Sequence, residues 1–313
     1  MKKKILLCLC LSMLLLGCSK AAKYGEDGRE YYKDGKYEKA VTSLKKAVKS
    51  DKKNPVYNAN LGDAYAALGK SEDAILYYEK ALKYNAEDKK AIYYSLATEF
   101  FKMKNNDAGV KAVEDFVNTD ATDYETYILG YELLHQYGLN KTSSELLTKA
   151  LDLKTRSGEE LNYKGMINFY LGEYEQARYM YDRARESGYK EAALNVAMID
   201  IYLENYSEAL GAYNYYENNV GKTAYLYNQK CIVNTKLGNY DDAIADSKKA
   251  LELCKEDEKR DILFNQIIAY EKACDYGTAY ELVTSYMEKY PDDKDAQAEY
   301  DFLSTQNGSR KGM

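Results

Sequence analysis

Few residues in this chain combine the type and the spacing that catalysis needs. Gly221-Lys222-Thr223 has the ending of a phosphate-binding loop, but the first glycine of that motif would fall at Tyr216 and no strand pattern leads into it. The single histidine, His135, has no cysteine or serine at a motif spacing, so no nucleophile and base pair can be assembled around it. Cys231, Cys254 and Cys274 are odd in number and include no Cys-x-x-Cys pair, which argues against a disulfide framework and a zinc site. They read as small, half-buried apolar residues, with one disulfide between two of them as the alternative. The acidic pairs Glu159-Glu160, Asp241-Asp242 and Asp292-Asp293 fall at expected turns and helix starts, where carboxylates complement the helix dipole. No catalytic residue, metal ligand or cofactor site is therefore expected, and the chain does not read as an enzyme.

The elements that carry these residues follow from composition. In 313 residues there are 46% hydrophobic residues, only two prolines, no tryptophan and 35 tyrosines, which favours an all-α chain with enough apolar surface for a sizeable core. The formal charge is -6, and it becomes -9 once Lys2, Lys3 and Lys4 are set aside as part of an export signal. An acidic chain without a basic stripe lacks the electrostatic footprint of a nucleic-acid binder.

That signal has three parts: Lys2 to Lys4 as a positive start, Ile5 to Leu16 as an apolar run, and Leu15-Leu16-Gly17-Cys18 as its end. The run is shorter than the ~20 residues of a membrane-spanning helix. Leu-Leu-Gly-Cys resembles the bacterial lipobox, which implies diacylglycerol on the Cys18 thiol and cleavage in front of it. Two acyl chains anchor a protein without a polybasic second signal. The expected location is the outer face of the cell membrane, held by lipid. In a host with two membranes, Ser19 after the cysteine favours the outer one.

The body repeats itself. Gly35-Lys-Tyr37-Glu-Lys-Ala40 recurs as Gly69 to Ala74, Gly172 to Ala177, Glu204 to Ala209, Gly238 to Ala243 and Cys274 to Ala279, with weaker copies ending at Ala108 and Ser143. The anchors lie 34, 34, 35, 34, 32, 34 and 36 residues apart, a period that marks stacked supersecondary units. Each unit reads as a helical hairpin. Glycine ends the first helix in a left-handed conformation, and the small anchor lets the second helix approach. Leu61, Gly62 and Tyr65 before the turn, with Ala74, Tyr78 and Ala81 after it, give three- and four-residue spacing on both sides.

These residues resemble the tetratricopeptide repeat family, whose units carry Leu-Gly and Tyr in the first helix, Ala, an aromatic and Ala in the second, and Pro near the end. Two departures stand out: tryptophan is absent, and Asp115 occupies the second small place of the third copy. The resemblance implies an all-α, right-handed α-solenoid of about eight hairpins. The domain order expected is a signal peptide over 1–17, a lipidated tether over 18–23, the repeat array over 24–291, a capping helix over 292–305 and a flexible tail over 306–313.

It also implies that the face lined by the first helices receives proteins or peptides. Family members that grip a carboxylate do so with Lys, Asn and Arg, but the comparable places here hold Gly25, Arg29, Ala59 and Asp63. In later units the register places Asn162, Met166, Phe169, Tyr170, Leu194, Met198, Ile201 and Tyr202 on the inner face, continued by Asn228, Ile232, Phe264 and Ile268. That stripe is the expected partner-binding surface; burial inside a tightly wound stack is its competing role. The function expected is an interaction scaffold in an envelope complex, with capture of peptides or other small ligands on the tyrosine-rich face as the alternative.

Overall fold

The computed structural model describes residues 20–310. The expected signal segment and Cys18, the expected site of lipid attachment, lie outside them. All regular structure among the described residues is helical, and it divides into two compact units that meet in sequence between Leu153 and Lys154.

The first unit holds four hairpins. They are α1 (20–33) with α2 (Tyr37–Ser50), α3 (Pro55–Ala67) with α4 (Ser71–Lys83), α5 (Lys89–Lys102) with α6 (Asn106–Asn118), and α7 (Tyr124–Gln136) with α8 (Asn140–Ala150). The second unit holds four more and a final helix. Its hairpins are α9 (Gly158–Tyr170) with α10 (Tyr174–Glu186), α11 (Ala193–Tyr202) with α12 (Tyr206–Asn219), α13 (Ala224–Leu237) with α14 (Tyr240–Leu253), and α15 (Lys259–Lys272) with α16 (Tyr276–Lys289); α17 (Lys294–Arg310) follows. Within each unit, partners in a hairpin pack together and each hairpin packs on the next, so each unit is a stretch of α-solenoid.

Local chemistry explains the helix starts. Asn54 precedes α3 and accepts a hydrogen bond from the Tyr57 N–H at 3.1 Å, with Pro55 at the first helical position, where its missing N–H costs nothing. Ser157 does the same for α9 and Thr223 for α13. Thr223, the last residue of the apparent phosphate-loop ending, is thus a helix cap. Asp293 accepts from the Ala296 N–H at the start of α17.

The hairpin turns share one geometry. A residue with positive φ always stands five places before a buried small residue: Gly35 before Ala40, Gly69 before Ala74, Lys104 before Gly109, Gly138 before Ser143, and so on to Cys274 before Ala279. Three of these left-handed residues, Lys104, Glu204 and Cys274, are not glycine.

This geometry corrects the third copy. Its small anchor is Gly109, not Ala108: Gly109 is buried, stands five places after Lys104, and a Cβ there would collide with the Phe101 ring. The second small place moves by one as well, from Asp115 to the buried Phe116, so the acidic departure is an artefact of anchoring on alanine.

The tether and the tail are also corrected. Residues 20–23 are already helical and Ala21 is buried. At the other end α17 continues to Arg310, past 305, with the Ser304 and Thr305 hydroxyls bonding back onto carbonyls of their own helix instead of ending it.

Candidate functional site

On α9, Asn162, Met166, Phe169 and Tyr170 follow one another at four-, three- and one-residue steps, and on α11 Leu194, Met198, Ile201 and Tyr202 repeat the order. Both rows rest on one core made by Ala177, Tyr181, Val196, Ala197, Ile199 and Tyr213, against which Met166, Phe169, Leu194 and Ile201 pack half-buried. The core owes its tightness to a helix crossing: a Cβ at Gly165 would lie 2.5 Å from the Tyr181 ring, so α9 and α10 approach as closely as that aromatic allows.

The structure brings most of the expected stripe together and divides its roles. Asn162 is buried, and its Oδ1 accepts a hydrogen bond from Asn195 at 2.6 Å, so its amide joins α9 to α11 instead of facing a partner. Asn228 is used in the same way by Asn265, at 3.0 Å. Met166, Tyr170, Met198 and Ile201 are half-buried, as are Ile232, Phe264 and Ile268 in the later hairpins. Tyr202 is 55% exposed and is the most accessible large side chain of the stripe.

Around Tyr202 the residues form an aromatic group. Its ring lies 4.2 Å from that of Tyr174 and 6.1 Å from that of Phe169, while Phe169 meets Tyr170 edge-on at 6.0 Å. The Tyr202 hydroxyl donates to the Tyr174 hydroxyl at 2.8 Å. Sequence reasoning missed Tyr174 because it was counted as part of the turn. The signal was present: Tyr37, Tyr174, Tyr206, Tyr240 and Tyr276 all stand three residues before their small anchor.

A charged network fixes α11 against α10 beside this stripe. Arg178 donates to Asp200 at 2.6 Å and to Asp182 at 2.7 Å, and the Asp200 side chain is fully buried. The sequence pattern did not single out these residues.

The other chemistry-bearing residues are dispersed. His135 is exposed and stacks on Tyr131 at 5.4 Å. No disulfide joins Cys231, Cys254 and Cys274 among the described residues, and burial pushes the Cys231 thiol up to about 12, away from the thiolate a nucleophile needs. Asp293 is held down at about 2 by the Tyr286 hydroxyl and Arg260. Glu159 and Glu160 lie in the first turn of α9, and Asp241 and Asp242 in that of α14. What the arrangement offers is a half-buried apolar row with an exposed pair of tyrosine hydroxyls, suited to holding a ligand by contact and hydrogen bonds.

Three segments match family models: residues 28–69 match TPR repeat, and residues 55–88 and 224–257 each match Tetratricopeptide repeat. Among solved structures, PilW, titled a widely conserved type IV pilus biogenesis factor, superposes with a TM-score of 0.53 at 18% identity, covering 68% of this chain and 99% of that one. A tetratricopeptide repeat protein from Parabacteroides merdae gives 0.48 at 16% identity, over 80% of this chain and 99% of that one. A chain of the APC/C hetero-tetramer Cut9-Hcn1 gives 0.50 at 13% identity, over 85% of this chain and 52% of that one. No curated protein sequence matches.

Proposed function

Because the chain belongs to the tetratricopeptide repeat family, we propose that it is a lipid-anchored scaffold that holds partner proteins of an envelope complex outside the cytoplasmic membrane. The observation that carries this reading is the stripe on α9 and α11, where apolar side chains stay half-buried and Tyr202 stays exposed although the chain has an apolar core below them to spend them on. Aromatic side chains at the centre of such a surface supply much of the energy of a typical interface. The repeats run from α1 to α16, so binding is the work assigned to the described chain.

The anchor rests on the sequence of residues 1–18, with its positive start, apolar run and Leu-Leu-Gly-Cys end. Among the described residues no helix is long and apolar enough to cross a membrane, which is consistent with attachment through Cys18.

Two variants test the two halves of the reading. Cys18→Ser should lose labelling by a fatty-acid analogue and leave the membrane fraction while the helical signal is kept; unchanged labelling removes the lipid anchor. Tyr202→Ala should lose the partners recovered by crosslinking in cells while its melt stays with the parent, because that side chain is largely in solvent. Retained partners with an unchanged melt remove the stripe from the account.

A further inference from the structure

In the first unit a half-enclosed cavity of about 280 Å3 opens where α3 and α5 lie side by side above Tyr78 of α4. Val56, Ala59 and Ile92 give it apolar walls. Every charged residue that lines it is acidic: Asp63 inside, with Glu87 and Asp88 from the turn before α5, and no Lys or Arg. Asp88 also caps α5 through the Ala91 N–H. Asp63 is half-buried, whereas Glu87 and Asp88 are exposed. One of its oxygens accepts from the Tyr78 hydroxyl at 2.8 Å, and burial pushes its carboxyl above the usual range because no cation compensates the charge.

A second observation is independent of charge. The side-chain nitrogen of Asn60, which also lines the cavity, is fully buried and has no hydrogen-bond partner. At the same repeat place Asn195 and Asn265 donate to Asn162 and Asn228 of the preceding first helix. The residue corresponding to those acceptors in the first hairpin is Gly25, which has no side chain to accept. A buried N–H donor left unpaired is costly, so this position is set to receive an acceptor from a ligand.

We propose that this cavity binds a lysine or arginine side chain presented by an extended polypeptide. The alkyl stem lies on Val56, Ala59 and Ile92, the cationic head meets Asp63 with Glu87 at the rim, and a main-chain carbonyl of the ligand accepts from Asn60. Long basic side chains bury an apolar stem and keep a charged head, which is the mixture of surfaces this cavity presents. The hydrogen bond from a cation to Asp63 is charge-assisted and relieves its uncompensated burial. The proposal rests on the scaffold reading only in taking a polypeptide as ligand. It concerns α3 and α5, so the stripe on α9 and α11 can fail its own test without affecting it.

The test uses the blocked tripeptide acetyl-Ala-Lys-Ala-amide and its analogue with norleucine, which keeps the stem and lacks the charge. Binding is followed by NMR through the Asn60 side-chain amide and the Ile92 methyls. The lysine peptide should shift both, and the norleucine peptide should bind at least tenfold more weakly. Asp63→Asn, which still accepts from Tyr78, should bring the lysine peptide down to the norleucine level. Val56→Arg, at a half-exposed rim position, should place a cation at the mouth and block binding, and it decides the matter if the Asp63 variant does not fold. Equal binding of the two peptides, no shift at Asn60 up to millimolar peptide, or undiminished binding by Val56→Arg would each overturn the proposal.

Discussion

Tyr78 and Tyr181 occupy the same place in their repeats, each lying across a glycine of the facing helix, yet removing their hydroxyls should change stability in opposite directions. The Tyr78 hydroxyl donates to the Asp63 carboxylate at 2.8 Å. The Tyr181 hydroxyl is buried with no partner. Leaving a buried polar group unsatisfied costs about 1–3 kcal/mol, and the small void that Tyr181→Phe leaves returns part of that, so the variant should gain about 1 kcal/mol. Tyr78→Phe deletes a hydrogen bond to a charged group and should lose about 1.5–3 kcal/mol. Urea unfolding measures both. With a slope of about 1–3 kcal/mol per molar, a gain of that size raises the midpoint of the second unit's transition by about 0.3–1 M. The two units should be read by separate probes, since a repeat array need not unfold as one step. If Tyr181→Phe lowers the midpoint, or if both variants move it in the same direction, the hydroxyl of Tyr181 has a partner and the reasoning fails.

Three further outcomes follow from particular contacts. Gly109→Ala should destabilise the first unit by about 1–3 kcal/mol of overpacking against Phe101, offset by up to about 1 kcal/mol of improved helix propensity; a chemical-denaturation midpoint above the parent's contradicts the corrected register. Arg178→Met leaves the buried Asp200 carboxylate without its partner and should cost about 3–5 kcal/mol in the second unit, measured by the same method, whereas an unchanged midpoint means that Asp200 is solvated. Glu299 of α17 is raised to about 7, first by its hydrogen bond with Glu271 of α15 and then by burial, while Glu271 is held below its ordinary value by Glu299 and Lys272 against the upward pull of burial. A raised acid stabilises the fold fully below the ordinary carboxylate value and loses that contribution as pH rises through about 7, whereas the lowered Glu271 contributes only above the ordinary value. Thermal melts of the second unit should therefore fall as pH rises from about 4.5 to about 7. Glu299→Gln, which still donates to Glu271, should flatten that slope, and a slope unchanged in the variant assigns it to other groups.

The helices and the hairpin period were legible because each unit spends its small and aromatic residues at fixed separations, and those separations are set by helix geometry alone. What misled was the use of residue type as a ruler. Ala108 looked like an anchor because it is alanine, but the position is defined by the left-handed turn at Lys104, and a lysine there carries no sequence signal for positive φ. The stripe was legible as a face, since four- and three-residue steps put Met166, Phe169, Met198 and Ile201 on one side of their helices. Its inner partition was not, because whether Asn162 faces out or bonds to Asn195 depends on the spacing between neighbouring hairpins. The Arg178 network and the unpaired amide of Asn60 are likewise products of juxtaposition across helices, which no local window contains.

The helix crossings carry one more consequence. Gly28 approaches Leu44, Gly62 approaches Tyr78, Gly130 approaches Leu146 and Gly165 approaches Tyr181, and in each case the two residues stand sixteen apart in the chain. Each pair meets at one close contact, so enlarging the glycine side requires its partner to shrink or shift. Selection then acts on the pair and not on the residue. Related chains should change the two positions together, since this one sequence already fills the separation with pairs as different as Gly62 with Tyr78, Ala97 with Val113 and Cys231 with Ser247. A lone substitution such as Gly62→Ala should look harmful until Tyr78→Leu accompanies it, which makes the order in which such changes arise a constraint on how the repeats diverge.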